Sequence, residues 1–186
     1  GNNYSLTATA TGLTGVASAA FNIVAGTASQ LVFTAQPTTT VSAVNINSPT
    51  GVVVTAQDVL GNTTTFAGNV TMTITGGTGT AGALLSGGAS VIVGAVNGVA
   101  TFTGLNIDKA GNNYTLTASI NAGAITQASG LFNITHGAAA QLVFTQPPTT
   151  ATAGANIAPS VIVTVQDAAA NTVLSFTGPV TVQITG

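Results

Sequence analysis

Five side chains in this 186-residue chain carry charge or titrate near neutrality: Asp58, Asp108, Asp167, Lys109 and His136. Proton transfer in catalysis needs an acid or base held against the reacting group, and a nucleophilic triad needs His between a nucleophile and a carboxylate. One His, three scattered Asp and no Cys cannot supply such constellations, so no catalytic residue is assigned and no enzyme is expected. Zinc and iron–sulfur sites need Cys or clustered His, and His136 stands alone in a segment read as a linker. Asp58 and Asp167 occupy equivalent loops, each followed by an Asn (Asn62 and Asn171). Their simplest role is to brace a turn by accepting backbone N–H bonds, with calcium as the alternative chemistry for oxygen-rich loops. Asp108 beside Lys109 raises a salt bridge or an isopeptide cross-link, but both fall in a predicted turn, which reads against the cross-link. Gly76-Gly77 and Gly87-Gly88 open no helix and so offer no phosphate cradle. No metal and no cofactor is expected.

Composition narrows the classes further. Charged residues make up 2% of the chain against about 25% in an average soluble domain, and the formal net charge is −2. A nucleic-acid partner needs cations to neutralise phosphates, and Lys109 is the only Lys or Arg. Mean hydropathy is +0.56, yet no apolar run approaches about 18 residues and no signal-peptide pattern is visible, so no membrane insertion is expected.

The elements that must hold these residues recur along the chain. GNNYSLTAT at 1–9 returns as GNNYTLTAS at 111–119, and FNIVAGTASQLVFTAQP at 21–37 returns as FNITHGAAAQLVFTQPP at 132–148. VVVTAQD ending at Asp58 returns as VIVTVQD ending at Asp167, and FAGNVTMTITG at 66–76 returns as FTGPVTVQITG at 176–186. The period is about 110 residues, the size of one small domain and too long for a solenoid rung. Residues 1–24 then match the last strands of a preceding unit, 25–135 make one complete unit, and 136–186 match the first part of a following unit. An excerpt from a longer array is the favoured reading of the ragged ends; strand donation between chains is the alternative.

Within a unit the apolar pattern has period two. Val70, Met72 and Ile74 alternate with Thr71, Thr73 and Thr75; Tyr114, Leu116, Ala118 and Ile120 alternate with Thr115, Thr117 and Ser119. Such alternation marks half-buried strands. Strands are expected at 29–35, 41–46, 51–57, 63–75 with a break near Gly68, 90–96, 99–105, 113–120 and 124–134. Asn97-Gly98 is a strong turn signal, because a type I′ hairpin turn needs positive φ at both central positions. Short strands at this spacing predict an all-β, two-sheet antiparallel sandwich, with a β-solenoid as the rival fold.

The two tyrosines, Tyr4 and Tyr114, each follow Gly-Asn-Asn at the start of a strand. That placement fits the tyrosine corner of Greek-key sandwiches, in which the hydroxyl bonds to backbone a few residues upstream. The blocks QLVFTAQP, VTAQDVLGN, NGVATFTGLNIDKAGNNYTLTA and FNI resemble the bacterial Ig-like repeats of long tandem surface proteins, including the invasin/intimin-like and "Big" adhesin repeats. The resemblance covers the whole chain and implies tandem immunoglobulin-like Greek-key β-sandwiches with a repeat of about 110 residues. It also implies an extracellular or cell-surface location and a role as fibre, stalk or adhesin, and it carries over no catalytic residue.

The outward faces of the strands are hydroxyl and amide groups with hardly any charge. Soluble surfaces usually carry about 25–35% charged residues, and edge strands are usually guarded by Lys, Pro or bulges. An unguarded Thr/Val surface is expected to self-associate with identical chains or neighbouring repeats. The leading expectation is therefore a structural repeat of a bacterial extracellular fibre, stalk or sheath. The alternative is an adhesin module recognising glycan or host protein through domain-end loops.

Overall fold

The computed structural model describes residues 1–185. They form β1 (Thr7–Ala8), β2 (Val16–Ala17), β3 (Gln30–Ala35), β4 (Thr40–Val41), β5 (Val52–Gln57), β6 (Asn69–Ile74) and β7 (Ser90–Gly94). Then follow β8 (Val99–Phe102), β9 (Gly111–Tyr114), β10 (Leu116–Ile120), β11 (Ile125–Ala128), β12 (Phe132–Thr135), β13 (Gln141–Gln146) and β14 (Ile162–Gln166). The only helical element among the described residues is a one-turn 3-10 segment, Asn121–Gly123, and no helix is long and apolar enough to cross a membrane.

Residues 25–135 build three sheets, ordered β11-β10-β6-β7, β3-β5-β8 and β4-β12-β9. The period-two pattern acts as expected: Val70 and Met72 of β6 and Leu116, Ala118 and Ile120 of β10 point inward and are buried. They meet Leu31, Phe33, Val52, Val54, Ala100, Phe102, Phe132 and Ile134 in one continuous cluster. The molecule is thus all-β, with several sheets stacked on a shared apolar core, an arrangement consistent with a β-sandwich.

Two strands expected to be continuous are each divided between two sheets. The run 113–120 breaks at Thr115: β9 pairs with β12, whereas β10 pairs with β6 and β11. The run 124–134 breaks at Ser129 in the same way. The buried Ser129 hydroxyl accepts from Leu116 N (2.9 Å) and donates to Gly130 O (2.9 Å). These bonds satisfy backbone groups that the ladder drops where the chain changes sheet. The stretch 41–46 yields only the two-residue β4, which runs parallel to β12. Beyond it the chain is a loop in which Ala43 N bonds Ile107 O and Ile46 N bonds Leu105 O, with Ile46 fully buried.

The Asn97-Gly98 turn is present, but its flanking strands do not form a long hairpin. Both residues have positive φ, 48° and 78°, and Val96 and Val99 exchange reciprocal backbone bonds of 2.9 and 3.0 Å. Beyond that pair the strands part, because β7 joins β6 while β8 joins β5. Gly98 N donates to Phe66 O (2.8 Å) and Ala56 N donates to Gly98 O (2.7 Å), so the turn crosses from one sheet to the other and is pinned to both sides.

Segments with related sequences fold alike. The β3–β5 ladder pairs Gln30 with Gln57 and Phe33 with Val54, then shifts register before Ala35. The β13–β14 ladder pairs Gln141 with Gln166 and Phe144 with Val163, then shifts before Gln146. The Tyr4–Phe21 ring pair, 6.1 Å between centroids, matches the Tyr114–Phe132 pair at 6.0 Å.

A Cβ at Gly98 would collide with the Thr64 carbonyl oxygen, on top of the left-handed backbone. Gly98→Ala is therefore expected to lower stability by about 2 kcal/mol or more, read as a shift in the denaturation midpoint. Asn97→Gly, at the neighbouring left-handed position, should change it by less than about 0.5 kcal/mol.

Candidate functional site

Of the five charged or titratable side chains, Asp108, Lys109, His136 and Asp167 gather at the junction between residues 25–135 and the segment that follows, whereas Asp58 sits beside Gly26, where residues 25–135 begin. Asp58 and Asp167 each brace a loop with an Asn four residues on. In the first, Asp58 Oδ1 accepts from Leu60 N (3.0 Å) and Asn62 N (2.9 Å). Its Oδ2 accepts from Gly26 N across the chain (2.9 Å), and Asn62 Nδ2 donates to both carboxylate oxygens (3.2 and 3.1 Å). Gly61, at φ 82°, lets the loop close. Gln30 Nε2 caps it by donating to Asp58 O (2.9 Å).

The second loop repeats this and adds a neighbour. Asp167 Oδ1 accepts from Ala169 N (2.9 Å) and Asn171 N (2.8 Å). Its Oδ2 accepts from Gly137 N (2.7 Å) and from the Ser42 hydroxyl (3.0 Å). Asn171 then reaches the central segment: Nδ2 donates to Asp108 O (3.0 Å) and Ser42 Oγ (3.0 Å), while Oδ1 accepts from Ala110 N (2.7 Å). The carbonyl and the N–H that flank Lys109 are thus held by a single amide.

The tripeptide so gripped is held from the other side as well. Tyr114 is fully buried, and its hydroxyl donates to Lys109 O, five residues upstream (2.8 Å). Thr80 Oγ1 donates to Ala110 O (2.7 Å), and Leu84 N donates to the Asp108 carboxylate (2.7 Å). The Lys109 ammonium donates to Ala81 O at 3.1 Å, so Asp108 and Lys109 each answer to residues 81–84. Tyr4 behaves differently: it is 46% exposed, with its hydroxyl beside Gly1. The position five residues upstream of Tyr4 falls ahead of Gly1, so it makes no equivalent bond within residues 1–185. His136 lies at the junction, its Nδ1 2.9 Å from Gly137 O and its Nε2 3.4 Å from Ser175 Oγ.

Both aspartates are acidified. Backbone bonding from Gly26, aided by Asn62 and Leu60, holds the Asp58 carboxyl at about 2. For Asp167, burial by itself pushes the carboxyl up, but the bonds from Gly137, Asn171 and Ser42 together outweigh it and bring the group to about 2. Each carboxylate is solvated by N–H donors in place of water, joined at Asp167 by the Ser42 hydroxyl. Calcium would need those same oxygens, which already accept several bonds each, and no group of three or more His, Cys, Asp or Glu converges among the described residues. The bonds of Asp167 and Asn171 tie one folded segment to the next, whereas those of Asp58 and Asn62 stay within residues 25–135.

The sequence pointed to Asp58, Asp167 and their asparagines as loop residues, but not to the reach of Asp167 and Asn171 across the junction. Ser42 carries no sequence signal, because its role depends on a contact 125 residues away. The recurring Asp and Asn four residues apart was the signal available for Asn171. Compared with protein-family models, curated proteins and solved structures, the chain has no match.

Two outcomes follow. A carboxyl held below its unfolded value stabilises the fold fully above about pH 4, and loses that stabilisation as pH falls through about 2. Thermal unfolding should thus be flat from neutrality to about pH 5 and drop steeply between about pH 4 and 2, and Asp58→Asn combined with Asp167→Asn should flatten that drop. Tyr114→Phe leaves the Lys109 carbonyl without its donor and should cost about 1–3 kcal/mol, whereas Tyr4→Phe should leave the unfolding midpoint unchanged.

Proposed function

We propose that this chain is a structural repeat segment of a bacterial extracellular fibre, stalk or sheath, made of tandem immunoglobulin-like Greek-key sandwiches of about 110 residues. Its mechanism is mechanical reach combined with self-association through uncharged, Thr-rich β surfaces. The observation that carries this reading is the outer face of the β11-β10-β6-β7 sheet. Two cross-strand rows lie there in register, Thr126–Ser119–Thr71–Ile92 and Ala128–Thr117–Thr73–Ser90. Neither row contains an ionisable group.

The margin of the same sheet supports the reading. Strand β7 pairs with β6 on one side only, its sequence Ser-Val-Ile-Val-Gly holds neither charge nor proline, and Ile92 is 58% exposed. An edge without guards is a template for a further strand. The paired ladders, the paired Tyr–Phe contacts and the paired Asp/Asn loops support the tandem architecture. The junction of Asp167 and Asn171 with Ser42, Asp108 and Ala110 supports a chain whose successive units are held in fixed relation, as a stalk requires.

Self-association is tested by sedimentation over a range of protein concentrations, with negative-stain microscopy of the concentrated sample. Concentration-dependent assembly, abolished by Ile92→Lys with the melting temperature kept, is the expected result. A monomer at every concentration and salt level would overturn the reading.

A further inference from the structure

The two Asp/Asn loops are built alike but are not equally engaged. Asn171 has its amide oxygen on Ala110 N and its amide nitrogen on Asp108 O. Asn62 is locked by its own Asp58 in the same pose, with contacts of 3.2 and 3.1 Å against 3.3 and 3.1 Å for Asn171 and Asp167. Asn62 is nonetheless exposed, and its amide meets no second segment among the described residues. Ala168 and Ala169, beside Asn171, line a cleft with Ser42 and Ala43. Their counterparts beside Asn62 are Val59 and Leu60, larger and apolar, yet 82% and 84% exposed.

The surrounding residues show the same deficit. Tyr4, Leu6, Phe21 and Ile23 are 46%, 67%, 40% and 57% exposed, whereas Tyr114, Leu116, Phe132 and Ile134 at the matching positions are 0%, 0%, 4% and 2%. What covers the second set is the rest of residues 25–135. What engages Asn171 is the backbone around Lys109. The molecule therefore displays, at one end of the central segment, the occupant that fits the other end.

We propose that the end face formed by Val59, Leu60 and Asn62 is a docking surface for a second copy of the repeat unit. The Asn62 amide would hold the carbonyl and N–H flanking the residue equivalent to Lys109, as Asn171 does. Val59 and Leu60 pack against the counterpart of Ser42 and Ala43, so this joint is more apolar than the one at Ala168 and Ala169. Tyr4 gains its missing acceptor from the same tripeptide, because that tripeptide immediately precedes the Gly-Asn-Asn-Tyr block. The inference rests on the tandem-array reading and specifies how consecutive units are joined.

The test adds a duplicate of residues 26–110 directly ahead of Gly1, so that its Asp-Lys-Ala precedes Gly-Asn-Asn-Tyr. The chain is free of Cys, so spin labels can be placed through Ala89→Cys and the same change in the added copy. Their separation is then read by pulsed electron paramagnetic resonance. The expected result is one narrow distance peak that is lost in Asn62→Leu and also in Leu60→Asp. The second variant leaves the Asp58–Asn62 bonds in place and should be silent in the parent chain's melting curve. A broad distribution in the parent extended chain, with the added unit folded by circular dichroism and hydrogen exchange, overturns the docking surface while leaving the array reading intact. A narrow peak that survives both substitutions also overturns it. Failure of the added residues to fold with 1–24 overturns both.

Discussion

The arrangement depends on a carboxylate buried among amide donors. Asp167 is 2% exposed, and a charge in that position is tolerable only because N–H and O–H groups replace its water. Those donors come from three places: the loop's own backbone at Ala169 and Asn171, the linker at Gly137, and the central segment at Ser42. Fixing the charge thus fixes three pieces of chain at once. A neutral, exposed residue there would leave the loop, the linker and the neighbouring segment without a common point.

That anchoring extends inward. Asn171 holds the backbone on either side of Lys109, and the Tyr114 hydroxyl holds the carbonyl of Lys109 itself. Tyr114 sits in the apolar cluster with Leu116 and Phe132. The path from the junction loop to the centre of the core is therefore two side chains long. In a chain with 2% charged residues, surface ion pairs contribute little, and the contacts across the junction are hydrogen bonds from Asp167 and Asn171. No buried side-chain nitrogen or oxygen lacks a partner among the described residues.

Much of the fold could be read from residue order. Alternation in Asn69–Ile74 and Leu116–Ile120 gave the strands and their inward faces, because a pleated strand imposes period two on any half-buried segment. The positive-φ turn at Asn97-Gly98 was legible for a comparable local reason. The sheet change at Thr115 was not, since alternation continues from Tyr114 to Leu116 while only the hydrogen-bonding partner changes. At Ser129 the inward phase shifts by one residue before Phe132, and that shift alone does not mark a change of sheet. The same limit hid the junction. Asp58 and Asp167 announced a turn through bonds a few residues away, but the contact of Asn171 with Asp108 and Ala110 spans 63 and 61 residues respectively. Such a contact exists only once both segments are folded.

The Asn171 amide recognises main-chain atoms and ignores the side chain between them. Main-chain atoms are identical at every position except proline and do not change as genes drift. A coupling addressed to them stays compatible while the gripped residues diverge, and matched mutations on the two sides are not required. Sequence variation can therefore accumulate on the exposed faces of such a chain without loosening its connections.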